Sequence, residues 1–329
     1  MKAIHVEHFG GPERLTLADV PVPRPGPGEV LVRLAHAGIN YIDVYMRDGS
    51  YARSHTYKTP LPMTLGMEGS GGIEQLGEGV TGLHVGETVA YCLSRGSYAE
   101  YAVVPAWKIV PVPVGIDPAI ATALMLQGST AHYLTHSAFP LKPGDTCLVH
   151  AGAGGVGQLL IQLAKRAGAT VITTVGSADK AQIARDRGAD HVILYRDVDF
   201  GDEVRRLTDG RGVDVAYDSV GLDTLPRSLR ALRRRGVCIS FGASSGQPDP
   251  VSVLDLAEAG SVFLTRPHLA DYMASTDEIR ARAAQLFAAH RDGALHVAID
   301  RTFPLAQAAA AHAIIEGRAT RGKLLLDIA

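Results

Sequence analysis

The run "HAGAGGVGQLLIQLAKRAG" carries residues whose type and spacing suit a pyrophosphate. Gly152, Gly154 and Gly157 fit G-x-G-x-x-G, and Gly155 and Val156 lie inside the motif. Small residues are needed because the chain must turn tightly, let backbone approach the phosphates and aim a helix N-terminus at them. The motif follows the apolar stretch "TCLVHAG". It opens a segment with Val156, Leu159, Leu160, Leu163, Ala164 and Ala167 at helical spacing. That strand–glycine–helix context separates a dinucleotide loop from a glycine turn with no ligand.

The second signal is an absence. An acid that accepts from the adenosine ribose 2′-hydroxyl comes about 20 residues after the glycines. Counting on from Gly157 lands on Gly176, in "VITTVGSADK". No carboxylate stands there to repel a 2′-phosphate, and Ser177 and Lys180 offer a donor and a positive charge on the next helical turn. This favours NADP(H). Asp179 argues the other way, but near a helix start it reads as a carboxylate complementing the dipole. Tyr195, ending "HVILY", is open to two readings: a flank for the adenosine, or a strand-end aromatic.

Alternating elements must position this loop. The first ~120 residues read as short strands punctuated by turns, including "EVLVRLAHAGI" (29–39), with one short helix, "YIDVYMRDG" (41–49). "DPAIATALMLQGSTAHYLTHSAF" then reads helical, with Asp117-Pro118 as its start signal. Six apolar strand candidates follow: "TCLVHAG", "TVITTVG", "HVILY", "VDVAYDSVG", "GVCISFG" and "SVFLTRP". Helical segments at 156–168, 178–188, 199–209, 223–235 and 252–259 separate them. That alternation implies a parallel, doubly wound sheet. A long helix (276–292), a strand, another helix and the last strand "KLLLDI" most simply rejoin the N-terminal β region. The expected division is 1–124, a β-rich domain; 125–267, the nucleotide domain; and 268–329, the return.

Bulk properties exclude little else. The chain has 329 residues, 46% hydrophobic and 20% charged, with net charge -2, ordinary for a globular protein of about two domains. Nothing global argues for nucleic acid or an anionic membrane. The one basic run, "LRALRRRG" (229–236), reads as a solvated helix face followed by a turn, with RNA binding as the outside alternative. Three cysteines, Cys92, Cys147 and Cys238, are scattered and form no disulfide framework. Cys147 and Cys238 fall in apolar strands and read as buried and inert. No apolar leader or membrane-length run is present, so a cytoplasmic location is the default expectation.

A β-rich first domain, an inserted Rossmann domain and a returning tail resemble the medium-chain dehydrogenase/reductase superfamily. "GGPERL", "LGMEGSGGIEQLGEGV", "GAGGVGQLLIQLAKRAGATVI" and "GRATRGKLLLDI" carry the resemblance. It implies an α/β chain: a GroES-like β-rich catalytic domain plus a Rossmann domain with a doubly wound, parallel six-stranded sheet. Zinc alcohol dehydrogenases of that superfamily have a cysteine where this chain has Asn40, and Gly-His-Glu where it has "GMEG", with Met67 replacing the histidine. Asn and Met are poor substitutes for thiolate and imidazole on zinc. Glu68 alone makes no site, and no four-cysteine lobe follows "YCLSRGSYAEY". No metal is expected.

Within the zinc-free branch the chain resembles the bacterial NADPH:quinone oxidoreductases, relatives of zeta-crystallin. "GINYIDVYMRDGSY", "GSADKAQ", "YDSVG", "RRRGVCISFGASSG", "GSVFLTRP" and "RATRG" carry this match over essentially the whole chain. The resemblance implies that Asn40, Tyr41, Asp43 and Tyr45 lie beside the nicotinamide half, with Thr130 at the domain junction. Gly155 and Val156 would meet the pyrophosphate, and Gly176, Ser177, Lys180 and Tyr195 the 2′-phosphate and adenosine. Val220, Ser244, Ser245 and Gly246 would border ribose and nicotinamide. Pro267, Leu269 and Arg318 would close the cleft. Relatives often have lysine where this chain has Gln127, and "YKTPLPMT" (57–64) departs from the usual run.

Without a metal Lewis acid, oxidation at an unactivated alcohol carbon is harder. Quinones and α,β-unsaturated carbonyls accept hydride readily, so NADPH-dependent quinone reduction is the leading expectation. Reduction of 2-alkenals or enones on the same scaffold is the alternative. A non-catalytic nucleotide-bound binding protein ranks last, because the loop glycines are intact. Tyr45 and Tyr51 are the expected acceptor-lining residues, with Asn40 and Gln127 as hydrogen-bonding groups; bland alternatives are helix packing for Tyr45, loop cover for Tyr51 and an N-cap for Asn40. His36, His132, His136 and His150 pair with no acid at readable spacing, and His150 reads as simply ending a strand. "SVFLTRP" would be an apolar sheet edge, which invites a homodimer.

Overall fold

Runs alternating apolar and polar residues become strands in the first third of the chain, and glycines end them. In order these are β1 (Lys2–Val6), β2 (Thr16–Asp19) and β3 (Glu29–Ile39), then helix α1 (Tyr41–Asp48), β4 (Met63–Thr64), β5 (Glu68–Leu76), β6 (Thr88–Cys92), β7 (Tyr101–Pro105), β8 (Val110–Pro111) and helix α2 (Pro118–Ala123). Helix α1 stops at Gly49, whose φ of 88° is the left-handed conformation that glycine adopts without a Cβ penalty. A turn with π-type hydrogen bonding, Leu124–Gly128, follows α2.

The computed structural model describes residues 1–328 as two units, residues 1–129 with 273–328, and residues 130–272. The second unit carries, after helix α3 (Ser129–Tyr133), the alternating region. It runs β9 (Thr146–His150), α4 (Gly155–Arg166), β10 (Thr170–Val175), α5 (Ala178–Asp186), β11 (His191–Leu194), α6 (Phe200–Leu207), β12 (Val213–Asp218), α7 (Leu225–Ala231), β13 (Leu232–Ser240), α8 (Val253–Glu258) and β14 (Phe263–Thr265). All its strand pairs are parallel, in the order β11-β10-β9-β12-β13-β14. The order reverses between β9 and β12, and ligands of doubly wound sheets bind at such a switch point, beyond the strands' carboxyl ends. Leu148, Ile172, Val213, Ala216 and Cys238 pack on Phe200, Val204, Leu225 and Leu229 to form its core.

The chain then returns to the first unit as α9 (Thr276–Arg291), β15 (Ile299–Pro304), α10 (Ala308–Glu316) and β16 (Lys323–Asp327). Strand β16 pairs antiparallel with β3, in a sheet ordered β15-β16-β3-β5-β6-β8 with β7 also on β3. Val30, Val32, Ile73, Val89, Tyr91 and Val104 fill its core. Among the described residues no helix is long and apolar enough to cross a membrane.

One expectation is corrected. The helix expected over 223–235 ends at Ala231, and "LRRRG" opens β13 instead. Val213 pairs with Leu232 and Val215 with Val237, so Arg233–Gly236 bulge out of the ladder, with Arg235 at φ 58°. Asp214 takes ion pairs from Arg211 and Arg233, and Arg205 donates to the carbonyls of Gly210 (2.9 Å) and Leu232 (3.2 Å). The basic run is therefore the last turn of a helix, carrying the exposed Arg230, followed by a bulged strand start rather than a turn.

Candidate functional site

The glycine loop is shaped by close approach. A Cβ on Gly152 would lie 2.1 Å from Thr173 Oγ1, and one on Gly157 would lie 2.3 Å from the Ala151 carbonyl oxygen. These two positions pack helix α4 onto the sheet. Gly154 is the N-cap, and a Cβ there would meet nothing nearer than 3.2 Å. It keeps backbone open toward a ligand. The first bond of the helix runs from the Gln158 N–H to the Gly154 carbonyl, 2.9 Å. The N–H groups of Gly155, Val156 and Gly157 therefore remain as the first-turn donors that no helix carbonyl claims.

At the end of β10 the reason for Gly176 is visible. A Cβ there would sit 2.8 Å from the Tyr195 hydroxyl oxygen and 3.2 Å from its Cζ. The Tyr195 ring, 39% exposed, covers the place where an NAD enzyme puts its acid. Ser177 is the N-cap of α5, and its hydroxyl donates to Asp179. Gly176, Ser177, Lys180 and Tyr195 thus share one corner of the nucleotide unit. The donor set fits a 2′-phosphate, with Asp179 as a competing acceptor.

The turns after β12 and β13 join. The Ser245 hydroxyl donates to the Val220 carbonyl (2.7 Å) and accepts from the Asp223 N–H (3.0 Å), and the Ser244 N–H donates to the Ser219 carbonyl (3.1 Å). Gly246 (φ 115°) accepts from the Leu222 N–H at 3.1 Å. Val220, Ser244, Ser245 and Gly246 are therefore brought together. Leu269 and Thr130 are buried, while Pro267 is half-buried. Arg318 belongs to the first unit, exposed and left-handed after α10 (φ 54°).

In the first unit, Asn40, Glu68 and Lys323 form a buried cluster. Lys323 Nζ donates to Asn40 Oδ1 (2.8 Å) and forms an ion pair with Glu68; Asn40 Nδ2 donates to Glu68 Oε2 (2.9 Å). Lys323 is 1% exposed and Glu68 0%. The Leu126 N–H, in the π-type turn, donates to the other carboxylate oxygen, which seats the neighbouring Gln127. Gly38 leaves the room: a Cβ there would lie 1.9 Å from Glu68 Oε2. An ammonium thus neutralises Glu68, and Met67 and Asn40 flank it without a thiolate or imidazole.

Helix α1 and the loop that follows it present a ladder of rings. Tyr41 and Tyr45 have centroids 5.9 Å apart, Tyr45 and Tyr51 5.3 Å, and Tyr51 and Tyr57 stack at 5.4 Å. The Tyr41 hydroxyl donates to the Ile315 carbonyl, 3.0 Å. Asp43 lies beneath, fully buried. Its Oδ2 accepts from the Asn40 N–H (2.9 Å) and the Tyr98 hydroxyl (3.3 Å), while Oδ1 has no partner among the described residues. Burial pushes the Asp43 carboxyl up to about 7. Behind Tyr98 stands His312, 3.1 Å away and held at about 3 by burial and by Arg47. Asp43 therefore anchors the start of α1 from below.

Two buried, hydrogen-bonded groups were not legible in the sequence. Lys323 sits inside "GKLLLDI", next to three consecutive leucines that are all buried with it. His150 is buried and bonded on both ring nitrogens, to Thr174 (2.8 Å) and Ser228 (2.9 Å).

Comparison with known proteins agrees with this geometry. Residues 26–114 match the alcohol dehydrogenase GroES-like domain, and residues 155–289 match the zinc-binding dehydrogenase family. The chain is 43% identical to a 2-haloacrylate reductase of Burkholderia sp, over 96% of each chain. It is 40% identical to a quinone oxidoreductase of Pseudomonas aeruginosa over 99% of each. The crystal structure of Escherichia coli quinone oxidoreductase complexed with NADPH superposes with a TM-score of 0.95 at 38% identity, covering 99% of this chain and 100% of that one.

Proposed function

The chain belongs to the quinone oxidoreductase family of the medium-chain dehydrogenase/reductases, and from that premise we propose that it reduces quinones with NADPH and without a metal. The corner formed by Gly176, Ser177, Lys180 and Tyr195 carries the cofactor half of this reading. A donor and a cation stand there, and the Tyr195 ring fills the place of an acid. The cluster of Asn40, Glu68 and Lys323 supports the metal-free half, because the one carboxylate at the former zinc position is already neutralised.

When bound, NADPH supplies two electrons and a proton as hydride from C4 of its nicotinamide. The protein's part is to bind, orient and exclude water. The first-turn N–H groups of α4 hold the pyrophosphate. Tyr45 and Tyr51 give a planar acceptor aromatic faces on which to stack. Asn40 spends its amide on Glu68 and Lys323 and so positions the start of α1, which leaves Gln127 as the amide for an acceptor oxygen. A second proton from water completes the quinol, so no general base is required. The chain acts as a homodimer through β14, the sheet edge, where Phe263 is 62% exposed. It resides in the cytoplasm, consistent with three buried, unpaired thiols.

The similarity to a 2-haloacrylate reductase supports a second reading, reduction of an electron-poor carbon–carbon double bond. Nicotinamide absorbance loss separates the two. NADPH and NADH are run in parallel against 1,4-benzoquinone and an activated alkene. Turnover confined to NADPH and the quinone is expected; faster turnover of the alkene would replace the first reading by the second.

A further inference from the structure

Four buried polar side chains form one continuous line through the nucleotide unit, none of them in the glycine loop. Thr174 Oγ1 lies 2.8 Å from His150 Nδ1, His150 Nε2 lies 2.9 Å from Ser228 Oγ, and Ser228 Oγ donates to Asp218 Oδ2 at 2.7 Å. The other Asp218 oxygen accepts from the N–H groups of Val220 (2.9 Å) and Gly221 (3.0 Å) and from the Thr224 hydroxyl (2.8 Å).

The protons in this line have one consistent assignment. Four donors surround Asp218, which suits an ionised carboxylate. Ser228 has a single proton and gives it to Asp218, so it accepts from His150 Nε2–H. Burial holds the imidazole below its ordinary range and therefore neutral. Its Nδ1 is then an acceptor, and Thr174 donates. Every link points toward Asp218.

The ends of the line are the two ends of the proposed cofactor site. Thr174 lies two residues before Gly176 and the 2′-phosphate turn, and its carbonyl accepts from the Gly152 N–H of the glycine loop, 3.2 Å. Asp218 builds the 218–224 turn that carries Val220. We propose that His150 is a positioning residue that couples these two turns, so that binding at the 2′-phosphate end orders the ribose–nicotinamide end. This rests on the NADPH reading above. A brace of this kind suits a cofactor held at both ends, because removing one link leaves buried polar atoms without partners on either side.

The test uses 2′,5′-ADP, which carries the adenosine and the 2′-phosphate but no nicotinamide half, beside NADPH. The full chain is titrated with each as wild type, Thr174→Val, Ser228→Ala and the double variant. Ser228→Ala is expected to weaken 2′,5′-ADP about 5-fold, although Ser228 lies on the far side of His150, and the double variant is expected to be no weaker than the worse single. Thr174→Ser, which keeps the hydroxyl, is expected to bind like wild type. Wild-type affinity of Ser228→Ala for 2′,5′-ADP, or single effects that multiply in the double variant, would overturn the coupling. Hydrogen exchange on the wild type tests the same coupling without a variant: 2′,5′-ADP is expected to slow the Val220 and Gly221 amides, and unchanged exchange there overturns the proposal. Failure of the wild type to bind either ligand would overturn the NADPH reading along with it.

Discussion

Replacing Gly176 by aspartate is expected to reverse the cofactor preference. The new Cβ would sit 2.8 Å from the Tyr195 hydroxyl oxygen, too close to keep. That atom is the end of a ring 39% exposed to solvent, so it can swing outward at a cost of about 1 kcal/mol. The charge matters more. A carboxylate about 5 Å from one phosphate charge is repelled by roughly 3 kcal/mol at a surface dielectric of about 20. The 2′-phosphate carries more than one charge, and physiological salt screens a good part of the sum. A net loss of about 2–3 kcal/mol weakens NADPH by roughly 30- to 150-fold. NADH gains a ribose acceptor that offsets the displaced tyrosine, so it changes by no more than a few-fold. The control is Gly176→Ala, which sets the same Cβ against Tyr195 and adds no charge. The assay is kcat/KM for each cofactor with one quinone, at two ionic strengths. Equal losses for NADPH and NADH, or equal effects of the alanine and aspartate variants, would refute the electrostatic reasoning.

Asp179→Asn should tighten NADPH about 3-fold and leave NADH unchanged, because it removes a like charge beside the 2′-phosphate; paired titrations check this. Lys323→Met should cost about 3 kcal/mol of stability by leaving the buried Glu68 carboxylate unpaired, and adding Glu68→Gln should recover part of it; denaturant melts decide. Asp43 gives a pH signature. Its carboxyl titrates near 7 in the fold and near 3.9 unfolded, so the fold binds the extra proton in between. Its contribution is full below the unfolded value, is lost as pH rises toward 7, and is flat above. Relative to Asp43→Asn, the wild type should lose about 1 kcal/mol per pH unit between pH 5 and 7. Tyr51→Leu should raise KM for a quinone roughly 5-fold with little change in NADPH affinity, as steady-state kinetics would report.

The nucleotide half was largely written in local sequence. Six apolar runs, a glycine motif in strand–helix context and the absence of an acid at Gly176 are each readable within about 30 residues. What escaped the sequence depends on distant partners. A lysine in "GKLLLDI" reads as a strand-end charge until Glu68, 255 positions away, appears beside it. His150 looked like a strand terminus because Thr174, Ser228 and Asp218 lie on three other elements. The overrun of the helix past Ala231 has a different cause. "LRALRRRG" satisfies a helical pattern, but parallel pairing of Leu232 with Val213 captures the chain early and expels the arginines into a bulge. Asp43 shows the same limit at the site. The resemblance implies a place for it beside the nicotinamide half, but only the fold shows that its carboxyl is fully buried and accepts from the Asn40 N–H.

Hydride transfer from NADPH without a metal is tested most directly by one measurement. The purified chain is dialysed against a strong chelator, its zinc content is measured, and quinone-dependent NADPH oxidation is then followed with and without added zinc. Full activity at a zinc content far below one per chain, unchanged by added zinc, is the expected result. Activity that falls with zinc and returns on its addition would contradict metal-free transfer.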